Sequence, residues 1–280
     1  MKNSNNTKDI CDENEMQVKV LMKHFENPKE REDLLKNINI SAEFEMRYRG
    51  HFLFYGKDFI DYKLLRPYDK DRNEFLRILS NFMTTVLEDD CPPSWKKCKR
   101  PFWEELIFTH FPHVMRITPD QKQVEIFLFQ LRMFIQWLDK RVGTTWFTVV
   151  DKYSKEAISD LKVCEQVLNT IFLRDFPQLH QKGFSPEQQI EIANESFKQC
   201  TKRWDSLFEV ISIIDDQITV IKEFNTNISY YVKGLPTHLI FPELIMSGCI
   251  GRKRGTLLWE WFQTEGIYPQ KGRKYLKLIN

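Results

Sequence analysis

The spacing of hydrophobic residues along this chain changes near Trp204. Before that residue, apolar positions recur every three or four residues, which is typical of amphipathic helices. From Leu207 to Phe262 they come in short runs with partial alternation, separated by polar and glycine-containing turns, which is typical of β-strands. The change of period predicts an α+β protein with two folding units.

The helical pattern covers most of the first 203 residues. Between Arg72 and Glu88 the apolar residues form one stripe. A second stripe follows Thr118, whose hydroxyl, together with Pro119 and Gln121, has the signature of a capping box. Further helices are predicted at residues 15–25, 30–38, 41–48, 59–65, 102–111, 146–172 and 185–203. Most of these stripes are wider than a coiled-coil seam, and they therefore predict a globular helical domain.

The strand pattern predicts a small module after the helices. Four or five short strands are expected, at residues 207–214, 218–223, 228–233, 244–252 and 256–262. Short strands with tight turns in about 60 residues are typical of a small antiparallel β-barrel or a curled sheet, in which closure removes exposed edges. The predicted organisation is a disordered tail at residues 1–14, an α-helical domain at 15–203, the β-module at 204–265 and a basic C-terminal segment at 266–280.

Composition and charge describe a packed protein of ordinary type. The 280 residues include 22 Phe and 7 Trp, and a chain of this length can bury roughly 75% of its unfolded surface without disulfides or metals. The 41 basic and 39 acidic residues give a net charge of +2, which by itself indicates no polyanionic partner. The sequence contains neither a signal peptide nor a run of about 18 apolar residues. We therefore expect a cytoplasmic protein with no membrane contact and with reduced cysteines.

One group of residues has the chemistry of a metal site. Cys91 and Cys98 are followed by His110 and His113, and thiolates and imidazoles are the ligands that zinc prefers. The two cysteines are further apart than in a zinc knuckle, however, and Pro112 separates the histidines. The pattern favours free thiols near a proline-rich bend, with ordinary histidines, and we predict no cofactor.

Basic residues next to aromatic ones mark candidate contact surfaces. One group lies at residues 96–100, a second at a predicted turn and a third near the C-terminus. The cations of the second and third groups are Arg252, Lys253, Arg254, Lys271, Arg273 and Lys274. Such charges release counterions from a phosphate backbone, and aromatic rings can stack on bases. The alternative is a set of solvated loops balanced by acidic residues, which the near-neutral total charge favours.

Trp259 and Trp261 form a pair within a predicted strand. Alternation places both rings on one face and Glu260 on the other. A buried pair would belong to the core of the β-module, whereas an exposed pair would form a binding hot spot. The large apolar area of two tryptophans favours the core.

Catalytic signatures are missing from the sequence. It has no phosphate-binding loop, dinucleotide-binding motif, serine-hydrolase elbow or zinc-protease motif. We therefore expect a non-enzymatic binding or regulatory protein that engages a protein or a nucleic acid through the β-module and the basic segments. The alternative is an enzyme with a cleft between the helical and β modules, in which His110, His113 and the Asp89–Asp90 pair are candidates for acid–base or metal chemistry.

The layout resembles that of uncharacterised bacterial proteins that join a helical region to a small C-terminal β-module. The segments with this resemblance, spread over residues 102–262, are Trp103–Leu106, Leu131–Leu138, Gly248–Arg252 and Trp259–Trp261. Some of these proteins end in a cysteine-rich zinc motif called SEC-C. This chain has no terminal cysteine cluster, so the zinc-binding part does not carry over, and the resemblance implies no catalytic residue.

Overall fold

The protein has an α+β fold in which helices precede a sheet. A computed structural model describes residues 25, 27–181, 183–185, 195 and 197–276. In this part of the chain, seven α-helices are followed by five β-strands, which confirms the coarse expectation from the sequence. Three predicted segments lie wholly or largely outside the described residues. They are the tail at residues 1–14, the helix at 15–25, of which only the last residue is described, and the helix at 185–203, of which about half is described.

The elements have the following bounds. The helices are α1 (Pro28–Ala42), α2 (Phe54–Leu64), α3 (Lys70–Asn81), α4 (Arg100–Glu105), α5 (Phe111–Val114), α6 (Gln123–Val142) and α7 (Trp146–Asp175). The strands are β1 (Lys202–Ile213), β2 (Ile218–Glu223), β3 (Ser229–Lys233), β4 (Ile245–Arg252) and β5 (Trp259–Tyr268). Wider π-helical turns follow α3 at Phe82–Val86 and join α4 to α5 at Leu106–His110. Among the described residues, none of the helices has the length and hydrophobicity that a membrane span requires.

A local side-chain cap starts the first helix. The side chain of Asn27 accepts the N–H of Glu30 at 3.0 Å before α1, as expected for an N-cap. The helix predicted at residues 41–48 is wrong, because α1 continues through Ser41 to Ala42. The hydroxyl of Ser41 donates to the carbonyl of Ile38 inside that helix, at 2.9 Å, instead of opening a new one.

Two other predicted boundaries are also wrong. The capping box predicted at Thr118 does not form, because α6 begins at Gln123 and its first N–H is bound by Glu165 of α7. Pro112 does not end a helix. It is the second residue of α5, which continues without a break from the π-helical turn at Leu106–His110.

The helices pack around aromatic rings. Phe134 of α6 is surrounded by other rings, with centroids 5.1 Å away at Tyr62, 5.5 Å at Phe75 and 5.8 Å at Trp95. Each of these four residues is at most 2% exposed. Full burial of one such side chain contributes roughly 1.5–3 kcal/mol, and this core therefore determines how the helices assemble.

The five strands are hydrogen-bonded in the order β1-β2-β3-β5-β4, and β4 in turn pairs with β1, so the pairings form a closed ring. Four pairings are antiparallel, as expected from the sequence. The expectation of an all-antiparallel module is wrong for the fifth, in which Val232 of β3 pairs with Trp259 of β5 in parallel. We call these strands and their turns the β-module.

The helices and the β-module share one hydrophobic core. Phe208 and Trp261 of the sheet belong to the same buried cluster as Leu161 of α7. His113 of α5 also reaches the sheet, since its Nδ1 lies 2.9 Å from the hydroxyl of Tyr268. The division of the chain at residues 203 and 204 stays a prediction, and the contact between the two regions is continuous.

Candidate nucleic-acid interface

The candidate zinc ligands do not come together as a metal site. Nε2 of His110 lies 3.2 Å from the carbonyl oxygen of Ile78, whereas His113 contacts the hydroxyl of Tyr268. Within the residues that the structure describes, no group of three or more His, Cys, Asp or Glu could hold a metal ion. The geometry therefore offers no zinc site at these positions.

Burial also shifts the pKa values of these side chains so that they are poorly suited to acid–base chemistry or metal binding near neutral pH. Burial lowers the pKa of His110 to about 3, so its imidazole is neutral. Burial raises the pKa of Cys91 to about 11, and burial together with the neighbouring Cys91 raises that of Cys98 to about 12. A protonated thiol is a weak nucleophile and a weak metal ligand.

The basic C-terminal segment is held against the rest of the protein by ion pairs. Lys271 binds Glu156 of α7 at 2.7 Å. Arg273 binds Glu209 of β1, and Lys274 binds Glu104 of α4. All three predicted cations of this segment are therefore matched by carboxylates, which reduces their attraction for phosphate.

A cleft of about 630 Å³ lies where this segment meets the helices. Glu104, Tyr153, Glu156 and Lys274 are among its lining residues. Burial alone would raise the pKa of Glu104, but hydrogen bonds from Lys274, Tyr275 and Tyr153 outweigh it and bring the pKa to about 2. Glu104 is thus a carboxylate that holds the segment in place.

The sheet brings together five basic residues at one corner. The β1–β4 register places Lys202 opposite Arg252 and Arg203 opposite Gly251. Lys253 and Arg254 follow directly in the turn after β4. We call Lys202, Arg203, Arg252, Lys253 and Arg254 the basic corner.

Most cations of the basic corner have no ion-pair partner in the part of the chain that the structure describes. Lys202, Arg203, Arg252 and Arg254 form no ion pair with any other described residue. Lys253 has only a contact of 3.9 Å with Glu260, and that carboxylate is bound more closely by Lys233, at 2.6 Å. The basic corner therefore differs from the C-terminal segment, where carboxylates neutralise the cations.

Aromatic rings lie beside these cations. The guanidinium of Arg252 lies 5.2 Å from the ring centroid of Trp259, which is within range of a cation–π interaction. The Trp259 ring also meets Tyr230 edge to face, at 5.0 Å. Trp259 is half-buried and packs against the core, while Trp261 is 4% exposed and part of it.

Sequence reasoning missed part of this surface. Arg252, Lys253, Arg254 and Trp259 stand out in the sequence, but Lys202 falls at the end of a predicted helix. Only the pairing of β1 with β4, across about 50 residues of chain, shows that Lys202 lies next to Arg252. The one local signal is the change of hydrophobic period, which occurs near Trp204.

Comparisons with protein-family models, with curated proteins and with solved structures find no match for this chain. The resemblance to bacterial proteins with a C-terminal β-module therefore stays a prediction.

Proposed function

We propose that this chain is a non-enzymatic, cytoplasmic binding protein whose barrel-like β-module contacts a nucleic acid through the basic corner. The observation that supports this most is that four of the five cations at the corner form no ion pair within the described part of the chain. Unpaired cations in a cluster attract a polyanion, because binding releases the counterions of the phosphates.

The local charge matters more here than the total. The net charge is only +2, and elsewhere acidic residues neutralise basic ones, as at Glu104, Glu156 and Glu209. A closed ring of short strands with basic and aromatic residues at one end also supports the proposal, since small barrels commonly bind oligonucleotides on a strand face. Phosphate contacts would orient the ligand, and rings at the same face would meet its bases.

The salt dependence of binding tests this proposal. With labelled oligonucleotides, five phosphate contacts would make log affinity fall with log salt with a slope of about 3.5 for a single strand and about 4.5 for a duplex. Replacing Arg252, Lys253 and Arg254 together by Ala should remove more than half of that slope and weaken binding. Circular dichroism would establish that the variant is folded.

A matched control removes the same charge elsewhere. Lys29, Arg31 and Lys36 lie exposed on α1, and their joint replacement by Ala lowers the net charge equally. We expect that control to keep the affinity and the slope. Equal effects of both triple variants would contradict a specific site, and no binding at low salt would refute the proposal and favour a protein partner.

A further inference from the structure

Trp204 belongs to the core-facing side of β1 but lies near the start of the strand, where that side is exposed to solvent. Alternation along the strand puts Trp204 on the same face as Phe208, which is fully buried in the core. Its partner on β4 is Ile250, also fully buried, whereas Trp204 keeps 42% of its surface exposed. A large ring at such a position is available to a ligand.

The same alternation places two cations beside this ring, both towards the end of the sheet where β1 begins. Lys202 lies two residues before Trp204 on the same face, and Arg252 pairs with Lys202 across the sheet and therefore shares that face. Residues two apart on a strand are about 7 Å apart. This is close to the length of one nucleotide in an extended single strand.

Trp204 differs from Trp259 in what covers it. Trp259 has the guanidinium of Arg252 over its face and Tyr230 at its edge. Among the described residues, no ring and no cation is in contact with the ring of Trp204. The 42% of its surface that is exposed is therefore open to a flat ligand.

We infer that the basic corner selects single-stranded nucleic acid, with one base stacked on Trp204 and neighbouring phosphates on Lys202 and Arg252. This inference rests on the proposed function. A duplex keeps the faces of its bases inside the stack, whereas an unpaired strand offers them to an aromatic ring. Charge alone would not distinguish the two forms.

The experiment compares three labelled ligands of equal length by fluorescence anisotropy with the full-length protein. They are a 15-nucleotide oligothymidylate, a 15-base-pair duplex and a 15-residue strand that is abasic throughout. We expect the single strand to bind at least tenfold more tightly than the duplex at equal salt. The abasic strand should lose about tenfold, which is within the range of one base–aromatic stack.

Variants connect that difference to the ring. Trp204→Ala should weaken binding of the oligothymidylate by about tenfold and leave the duplex and the abasic strand unchanged. Trp204→Phe keeps a smaller ring and should retain most of the affinity. Tyr68→Ala, which changes an aromatic residue that is 95% exposed, is the matched control and should have no effect.

The outcomes separate this inference from the proposed function. Equal affinity for single strand and duplex, or an oligothymidylate affinity unaffected by Trp204→Ala, would overturn the stacking while leaving a phosphate-binding site. No binding of any of the three ligands at low salt would overturn both. In that case the basic corner would be tested against acidic protein partners.

Discussion

The carboxylate of Glu165, in the middle of α7, accepts the backbone N–H of Gln123 at the start of α6, with 2.7 Å between oxygen and nitrogen. The relation is reciprocal. Asp139, near the end of α6, accepts the N–H groups of Trp146 and Phe147 at the start of α7, at 3.0 and 2.8 Å. Each helix of this hairpin therefore provides the N-terminal cap of the other.

Glu165→Ala should destabilise the protein by about 1–3 kcal/mol, because it removes the acceptor of a partly buried N–H at the start of α6. Chemical denaturation followed by circular dichroism measures the free energy of unfolding. The matched control is Gln166→Ala, which truncates the exposed neighbouring side chain and should cost less than about 0.5 kcal/mol. Equal effects of the two substitutions would show that the cap contributes nothing.

His110 should make the protein sensitive to acid. Burial lowers its pKa from 6.5 to about 3, so the unfolded chain binds a proton between these values and the folded protein does not. Its contribution to stability is present above pH 6.5 and is lost as the pH falls towards 3. His110→Gln should therefore lose less stability than the wild type over this range.

Thermal unfolding at several pH values measures that difference. His180→Gln is the control, since His180 is exposed, and it should follow the wild type. A His110→Gln variant whose unfolding temperature declines with pH in parallel with that of the wild type would contradict the prediction.

Gly272→Ala should detach the C-terminal segment. A Cβ at this position would lie 2.4 Å from the carbonyl oxygen of Phe108, closer than atoms can pack, so the segment would have to move away from the helices. The ion pairs of Lys271 and Lys274 would then be lost. Limited proteolysis should cleave the variant near its C-terminus faster than the wild type. Gln270→Ala, which changes an exposed residue of the same segment, is the control and should leave the cleavage rate unchanged. A Gly272→Ala variant that is cleaved no faster than the wild type would contradict the prediction.

Glu223 organises the turn after β2. Its carboxylate accepts hydrogen bonds from the hydroxyl of Ser206 at 2.5 Å and from that of Thr226 at 2.6 Å, and from the N–H groups of Asn225 and Thr226. Burial would raise the pKa of Glu223, but these bonds outweigh it and lower the pKa from 4.5 to about 2. The stability it contributes is therefore present above pH 4.5 and is lost as the pH falls towards 2.

Glu223→Gln should lower the free energy of unfolding by about 1–3 kcal/mol at pH 7. The substitution replaces one carboxylate oxygen by an NH₂ group, which cannot accept the hydrogen bonds that this oxygen accepts. Urea denaturation at pH 7 and pH 3 measures the effect, which should be smaller at pH 3. Glu32→Gln on the exposed face of α1 is the control. A cost that does not change with pH would contradict the assigned ionisation.

Elements whose hydrophobic pattern is local could be predicted from the sequence. Strand β2 runs from Ile218 to Glu223 as expected, and β4 differs by one residue at its start. The pattern at residues 72–88 corresponds to α3 and the π-helical turn after it. These segments alternate or repeat strongly enough for their own residues to determine the structure.

Boundaries set by distant partners could not be predicted in this way. The start of α6 depends on Glu165, which lies 42 residues further along the chain. Strand β1 begins at Lys202, five residues before the predicted start, because β4 offers it a pairing partner at Arg252. Neither acceptor nor partner strand is visible in a local window.

The candidate site, too, could be predicted from the sequence only in part. The cations of Arg252, Lys253 and Arg254 are evident in the sequence, because adjacent basic residues at a turn need no partner to be recognised. The equally basic segment at residues 271–274 is neutralised by acidic side chains from α4, α7 and β1. Only tertiary contacts distinguish the two segments.

The sequence by itself determined that helices come first and strands last, and which side chains turn towards a core, because hydrophobic period depends on residues a few positions apart. Tertiary structure decided which charges are neutralised, which helix ends are capped from afar, and that Trp204 meets solvent beside Lys202 and Arg252. Those outcomes depend on electrostatic and hydrogen-bonding partners that are close in space and far apart in the chain, so no local pattern encodes them.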